Sequence, residues 1–337
     1  MLTYLVRRIL SSIFLIFVVS AVTFAIFFLV PRLGGATADD LASRYVGKSA
    51  GAAQIHQTAV KLGFTDPIWV QYGRFAKGLV VGANFDYGPG VEHCPAPCLG
   101  YSYLEQQPVL PEIIDRIPVT ASLAAGAAVM WLVGGVSIGV LSALRRGSLW
   151  DRAAMTTALA GVSLPIFFTG QLLLLFFAYK LHWFPGGGAD PTQATSPWDW
   201  AYRMFLPWTA LAFLYAAIYA RMTRAGMLET MNEDYIRTAR AKGLKERTVV
   251  IKHGVRSALT PILTIFGLDL GLLLGGAILT EKTFSLPGLG KYAIDAIDKN
   301  DLPKILGVTL VAAAFIIVAN LVVDVLYAVI DPRVRTR

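Results

Sequence analysis

Charged residues are scarce in this chain. Only 15% of its 337 residues are charged and 55% are hydrophobic, and the mean hydropathy is +0.57. Soluble domains carry about 25% charged residues. The composition therefore excludes an ordinary soluble domain, and it equally excludes a disordered chain or a collagen-like repeat.

The sequence patterns of a complete phosphate loop and of a zinc protease are also missing. The segment Ser285–Lys291 comes close to a G-x-x-x-x-G-K-[ST] phosphate loop, but it lacks the first glycine and is followed by Tyr292. H-E-x-x-H does not occur, and the four histidines are scattered. We therefore expect a chain that is not itself an enzyme and that holds no metal or cofactor.

Cysteine is represented by two residues, Cys94 and Cys98, which are separated by Pro-Ala-Pro. A short disulfide between them would suit an oxidising compartment. Two free thiols are an alternative. A metal site that includes His93 is a third, although two thiols and one histidine make an incomplete ligand set.

Long apolar runs dominate the remainder of the chain, and within them only Asp269 and Asp324 are charged. A helix needs about 20 apolar residues to cross roughly 30 Å of hydrocarbon. We therefore predict an all-α membrane protein with six transmembrane helices, the fourth extended to about 204–223. The six runs are Ile9–Val30, Ile117–Leu144, Ala158–Tyr179, Leu206–Ala220, Ile262–Thr280 and Ile305–Ile330.

The first run could instead be the core of a signal peptide, because Arg7 and Arg8 precede it and Ala36-Thr37-Ala38 imitates a cleavage site. Its 22 residues exceed the roughly 7–15 of a signal core. We expect an uncleaved membrane span.

Basic residues set the expected orientation. Segments 1–8, 145–157, 221–260 and 331–337 hold 17 of the 30 Lys and Arg residues in only 68 positions. The positive-inside rule places these segments, and with them both termini, in the cytoplasm. The net charge of +8 is explained by this asymmetry and requires no nucleic acid.

Four regions follow from this topology. Residues 1–30 form an N-terminal transmembrane helix, and residues 31–116 form a long extracytoplasmic loop, with a helix expected over Pro67–Val80. Residues 117–330 form the membrane core, and residues 331–337 form a cytoplasmic tail.

The largest cytoplasmic segment, residues 232–260, predicts two short helices hinged at Gly243. Asn232 is expected to cap the first helix, whose first turn is acidic. The second should run from Lys245 toward Ala258, with Pro261 opening the next span. The segment is either a basic loop that merely obeys orientation rules or a docking element for a cytoplasmic partner.

The run Tyr235–Leu244 (YIRTARAKGL) resembles the EAA loop of ABC-importer permeases, in the form found in the B subunits of dipeptide and oligopeptide permeases. Further resemblances lie at the N-terminus (MLTYLVRR), at Leu62-Gly63, at Phe284–Gly290 (FSLPGLG) and at the C-terminus (NLVVDVLYAVIDPRVR). The resemblance thus covers nearly the whole chain.

This resemblance implies a type I ABC-importer permease in a bacterial cytoplasmic membrane. It implies a heterodimer with a second permease, two cytoplasmic ATPases that bind ATP and Mg, and an extracytoplasmic binding protein that delivers peptides. Arg237, Thr238 and Ala239 occupy the EAA triplet, with arginine in place of the glutamate. The implied ATPase-coupling residues are Tyr235, Arg237, Thr238, Ala239, Arg240, Ala241, Lys242, Gly243 and Leu244.

Other cargo remains open, because importers of nickel chelates, glutathione or haem share these motifs. An ion-coupled secondary transporter is a different class. Such a transporter would predict inverted repeats, broken helices and several carboxylates within the membrane. Here Asp269 is the one clear candidate for such a carboxylate, which argues against this class.

Glycines in two of the runs form smooth strips where another helix can approach closely. They are Gly135 and Gly139 in the second run and Gly267, Gly271 and Gly275 in the fifth. Each strip packs either within one bundle or at the pathway interface with the second permease. Asp269 lies between two of these glycines, and it either faces a cavity used by the cargo or makes a structural hydrogen bond.

Overall fold

The computed structural model describes residues 2–46, 50–86, 90–274 and 277–330, with the backbone alone at 2–6, 44, 86, 260, 264, 274 and 322–330. It is mostly helical, as predicted. The helices are α1 Leu2–Phe24, α2 Val30–Leu33, α3 Ala38–Ala42, α4 Ala52–Lys61, α5 Ile68–Val81, α6 Val109–Leu144, α7 Leu149–Ser163, α8 Ile166–Leu173, α9 Pro197–Thr230, α10 Asp234–Ala241, α11 Glu246–Thr248, α12 Arg256–Leu274, α13 Ile278–Phe284, α14 Leu289–Asp298 and α15 Leu302–Ile330.

Three π-helical segments and two 3₁₀ turns join or extend these helices. The π segments are Ala25–Leu29, Leu174–Lys180 and Val249–Val255, and the 3₁₀ turns are Ser43–Tyr45 and Pro191–Gln193. Among the described residues, the long loop after the first apolar run also contains two small antiparallel hairpins, which the all-α prediction missed. Their strands are β1 Ala83–Asp86 with β2 Val91–Cys94, and β3 Tyr101–Ser102 with β4 Gln107–Pro108.

By length and composition, four helices in the described part of the chain could each cross a membrane: Arg7–Leu33, Val109–Leu144, Pro197–Thr230 and Leu302–Leu321. The number rises to six if each of two bent helix pairs counts as one span. The first pair is Leu149–Ser163 with Ile166–Lys180, and the second is Glu246–Leu259 with Pro261–Leu273. The fourth run, which looked too short, lies in one 34-residue helix, so the polar residues that flank it continue the helix at both ends.

The third apolar run is not one straight helix, contrary to the prediction. It bends by 108° between α7 and α8. Leu164 precedes Pro165 and is extended (φ −89°, ψ 129°), because a proline ring disfavours helical backbone at the preceding residue. Hydropathy alone does not register this break.

Two compact units share the chain. Among the described residues, the first comprises 2–118 and 292–317, and the second comprises 119–291 and 318–330. The boundaries of these units differ from those of the four regions that the predicted topology gave.

The first unit has an aromatic core in which Phe24 and Phe28 stack with ring centroids 4.5 Å apart. Leu41, Ala59 and Phe64 of the loop are buried in the same core. The predicted loop helix is observed one residue later, as α5, with Pro67 at its N-cap. Proline suits this position because it has no N–H to leave unsatisfied.

Buried polar side chains also join segments of the first unit. Ser102 donates a hydrogen bond of 2.5 Å to Asp301. Lys304, only 4% exposed, binds the carboxylates of both Glu105 and Glu112. These contacts attach the end of the loop to the N-terminal turns of α6 and α15.

The second unit has a core between α6, α8, α9 and α12. Trp131 is fully buried there and stacks on Tyr215 with ring centroids 4.6 Å apart. At one end of α7, Arg224 binds Asp151 through two hydrogen bonds of 2.7 and 2.8 Å, which fixes α7 on α9.

Candidate functional site

The segment 232–260 forms a folded element that joins α9 to α12. After α9 ends at Thr230, a short turn leads into α10. Its N-cap is Glu233, one residue later than predicted, and Asn232 instead donates a side-chain hydrogen bond of 2.8 Å to the carbonyl of Leu228. The side chain of Asn232 is thus bonded to the last turn of α9 and does not cap α10.

Gly243 ends α10 in a left-handed conformation (φ +78°). Its N–H donates to the carbonyl of Arg240 at 2.9 Å, and that of Leu244 donates to the carbonyl of Ala239 at 3.4 Å. This pair of bonds is the Schellman motif, in which glycine is favoured because it has no Cβ. The predicted glycine between two helices is therefore a rigid helix terminus with defined hydrogen bonds.

The second helical stretch begins at α11, close to the predicted Lys245, but it does not stop near Ala258. It runs without interruption through the π segment Val249–Val255 into α12. Pro261 was predicted to open a new span and instead lies inside α12, where the axis bends by 42°. Proline removes one helical hydrogen bond, and a bend rather than a new start is the result.

One side of α10 is packed against the base of this long helix. Ile236 is fully buried and Ala239 nearly so, and both contact Val249 in a small apolar cluster. The cluster holds α10 against the segment that continues directly into α12. A displacement of α10 would consequently act on α12.

The other side of α10 is open. Of the nine residues implied to couple to an ATPase, Ala239 is the buried one, and the others are exposed: Tyr235, Arg237, Thr238, Arg240, Ala241, Lys242, Gly243 and Leu244. Tyr235 and Leu244 are large apolar groups about 40% exposed. Exposed apolar residues among basic ones form a surface suited to another protein.

A salt bridge crosses the glycine turn. Arg240 donates to both carboxylate oxygens of Glu246, at 2.7 and 3.1 Å. These hydrogen bonds hold the pKa of Glu246 below its usual range and raise that of Arg240. The bridge ties the end of α10 to the start of α11, and it is a contact that the sequence analysis missed, because six positions across a turn is not a helical spacing.

In the second run, the two predicted packing glycines lie against α9. A Cβ on Gly135 would approach the carbonyl of Ala216 to 2.8 Å, and one on Gly139 would approach that of Ala220 to 2.5 Å. The structure thus uses this strip for packing within the chain.

The fifth run is described in part. Gly267 and Gly271 are buried in α12, and Gly275 lies outside the described residues. Asp269 accepts a hydrogen bond of 2.8 Å from the hydroxyl of Tyr219. Of the two alternatives for Asp269, the structure shows the structural hydrogen bond.

A buried carboxylate that the sequence analysis passed over organises the segment after α13. Glu281 is fully buried, and it accepts hydrogen bonds from the hydroxyl of Thr120 at 2.7 Å and the N–H of Lys291 at 3.0 Å. The N–H of Leu289 in turn donates to Thr120 at 2.8 Å. Glu281 therefore occupies the N-terminus of α14, where the helix dipole favours negative charge. The segment that resembles a phosphate loop is folded around this side chain.

In the first unit, Cys94 and Cys98 form a disulfide with a Cα–Cα distance of 5.6 Å. Both cysteines are buried. Of the three alternatives left open by the sequence, which were a disulfide, two free thiols and a metal site with His93, the structure shows the disulfide.

Comparison with known proteins assigns the chain to a family. The family model described as binding-protein-dependent transport system inner membrane component matches residues 135–336, and the model for the N-terminal part of such membrane components matches residues 1–124. The chain belongs to this family. It is a transport permease of the ABC importers, as the resemblance of the EAA loop implied.

Curated relatives resemble this permease over 99% of its length. A dipeptide transport permease of Alkalihalophilus pseudofirmus is 36% identical, with 100% of its own length covered. A di/tripeptide transport permease of Pseudomonas aeruginosa and a glutathione transport permease of Escherichia coli are each 36% identical, with 99% of their lengths covered. Among solved structures, a chain of an inward-facing MetNI methionine ABC transporter matches 64% of the permease and 96% of its own length, with 17% identity and a TM-score of 0.49.

Proposed function

We propose that the permease imports small peptides across the cytoplasmic membrane as one of two different permease subunits. In this proposal, a binding protein delivers the peptide from outside, and two cytoplasmic ATPases bind ATP and Mg and supply the energy. The chain itself binds no cofactor. Its role is to form part of the pathway and to transmit the motion of the ATPases.

The construction of α10 is the observation that carries this proposal. An exposed surface of aromatic, apolar and basic side chains is mounted on a short helix with a defined C-terminus. The opposite side of that helix is buried against Val249, in the segment that continues into α12. A helix that merely satisfied the orientation rule would need neither the buried contact nor the fixed terminus.

Coupling follows from this arrangement. Packed elements move as units and do not deform continuously, so an ATPase that displaces α10 would tilt α12 with it. ATP can drive the change only if the ATPases contact α10 differently in their two nucleotide states. The bend at Pro261 is then a point within α12 where its two parts can change their angle.

The names of the relatives support a cargo of two or three residues. Two are transporters of dipeptides or di/tripeptides, and the third is a transporter of glutathione, which is itself a tripeptide. The proposed orientation places 232–260 in the cytoplasm and the loop with its disulfide outside, where oxidising conditions favour the bond.

Site-directed cross-linking tests this proposal in the assembled complex. We expect Thr238→Cys, on the exposed side of α10 and labelled with maleimide-benzophenone, to photo-cross-link to an ATPase subunit, and the yield to change with ATP. Gln193→Cys, exposed in the predicted extracytoplasmic loop 180–205, is the matched control and should form none. The native cysteines do not interfere because they are paired.

A Thr238→Cys variant that never reaches an ATPase would contradict the coupling role. Equal cross-linking of Gln193→Cys would contradict the orientation.

A further inference from the structure

The first unit contains a cavity of about 580 Å³. Its walls are largely aromatic and aliphatic, with Phe24, Phe28, Phe64, Phe75, Tyr101 and Leu306 among the lining residues. This volume falls within the range of about 300–1,000 Å³ that is typical of ligand sites.

The cavity lies at the ends of two membrane spans. Phe24 and Phe28 belong to the last part of the first apolar run, and Leu306 belongs to the first turns of the sixth. In the proposed orientation both ends are extracytoplasmic. The cavity is therefore at the level where the acyl chains of the outer leaflet meet their headgroups.

Two cationic side chains stand at the edge of this cavity. Arg74 and Lys77 both line it from α5, and both are exposed. Arg74 binds Asp66 at 2.6 Å, but a guanidinium carries five N–H donors in a planar fork, so that one ion pair leaves donors for a second anion. An ammonium on Lys77 adds three more donors.

The helix that carries these cations also exposes large apolar side chains. Trp69 is 73% exposed, Val80 76% and Val81 65%. Tryptophan and aliphatic residues beside Lys and Arg are typical of a helix that lies in the membrane interface. This observation is independent of the cavity, and it makes α5 suited to lie against lipid beside the cavity entrance.

The polar groups inside the cavity are poorly suited to a peptide. The amide nitrogen of Gln71, which is buried, is already engaged by the carbonyls of Phe64 and Asp66, at 3.2 and 2.8 Å. A peptide backbone buried here would need partners for its own N–H and C=O groups. An acyl chain needs none.

We propose that this cavity binds an anionic phospholipid of the outer leaflet, with an acyl chain between the aromatic side chains and the phosphate at Arg74 and Lys77. This proposal rests on the membrane orientation given under the proposed function. It does not depend on the proposed cargo or on the proposed coupling to the ATPases. A bound lipid would fill the cavity between α1, α5 and α15 and so stabilise the first unit.

Native mass spectrometry of the complex, extracted in mild detergent and supplied with defined lipids, tests the proposal. We expect the wild type to retain phosphatidylglycerol in preference to phosphatidylcholine. Lys77→Glu should lower the affinity for phosphatidylglycerol about tenfold, since a hydrogen bond to a charged group is lost and a repulsion added. Lys61→Glu, an exposed change on α4 at a residue that does not itself line the cavity, is the matched control and should bind as the wild type does.

A second variant tests the apolar part of the site. Phe75→Ala should weaken retention of both lipids, because it removes part of the wall that contacts the acyl chain. Its fold is checked by its co-purification with the partner subunits.

Three results would overturn the proposal: no retained phospholipid in the wild type, equal retention of the two headgroups, or displacement of the lipid by a cargo peptide. The last would assign the cavity to the cargo. Cross-linking at Thr238 is unaffected in each case, so that failure here is distinguishable from failure of the proposed function.

Discussion

Single residues in the second unit show how a buried carboxyl group can be accommodated without a cationic side chain among its described contacts. Glu281 has the hydroxyl of Thr120 and the N–H of Lys291 as donors. Gly288 allows this, because a Cβ there would come within 2.3 Å of the carboxyl group. Gly288 of the FSLPGLG segment is therefore explained by close packing on Glu281, whereas Gly290 lies against Ile278, where a Cβ would come within 2.7 Å of the Ile278 Cα.

We predict that Glu281→Ala destabilises the permease by about 2–6 kcal/mol, since a buried N–H and a buried hydroxyl each lose a partner at about 1–3 kcal/mol. Glu281→Gln should cost less, because the amide keeps one acceptor. Thermal unfolding of the detergent-purified chain measures both. Glu229→Gln, an exposed change on α9, should leave the midpoint unchanged. Equal midpoints for Glu281→Ala and wild type would contradict the role assigned to Glu281.

At the scale of elements, the connection between α9 and α12 combines two rigid pieces with one fixed turn. α10 ends at a Schellman motif, and the salt bridge between Arg240 and Glu246 closes the turn. α11, the π segment and α12 form one continuous helix. Force applied to α10 therefore has a direct route to a membrane helix.

We predict that Gly243→Val uncouples ATP hydrolysis from uptake while membrane insertion stays normal. Space is not the obstacle, because nothing lies within 4 Å of a Cβ built there. The cost is the left-handed backbone, about 1–2 kcal/mol for a residue with a Cβ, and more for a β-branched one. Uptake per ATP in proteoliposomes that contain the complete complex measures the effect.

Gly243→Asn is the matched control for this prediction, since asparagine tolerates the left-handed conformation. It should couple nearly as well as the wild type. Normal uptake per ATP in Gly243→Val would refute the importance of the turn.

At the scale of the whole molecule, the two units rely on different interactions. The second is held mainly by apolar helix packing around Trp131. The first combines an aromatic core with a charged network in which Lys299 and Lys304 bind Glu105. Hydrogen bonds from Lys299 and then Lys304 lower the pKa of Glu105 to about 2.

We predict that this network makes the first unit sensitive to acid. A carboxylate with a lowered pKa stabilises the fold above its ordinary pKa, 4.5, and the contribution is lost as the pH falls toward 2. Glu105→Gln should therefore lower the unfolding midpoint at pH 7, and its difference from wild type should shrink as the pH falls from about 4.5. Thermal unfolding between pH 7 and pH 3 measures this difference, with the exposed Asp115→Asn as control. A difference that stays constant across this range would rule out the network as its cause.

The sequence by itself determined the features that depend on neighbouring residues. These are the apolar runs, the helix near Pro67, the helical ends at Gly243 and Lys245, and the motifs that resemble the permease family. Hydropathy averages over each run, however, and so it missed the 108° bend at Pro165 and the continuation of α12 through Pro261.

Only the tertiary structure decided which distant groups meet. Thr120 and Glu281 are 161 positions apart, and Glu105 and Lys304 are 199. It likewise showed that Gly135 and Gly139 contact α9 and that Asp269 is bonded to Tyr219. Periodicity indicates which residues can be buried, whereas the partner of each buried group depends on how helices far apart in sequence pack together.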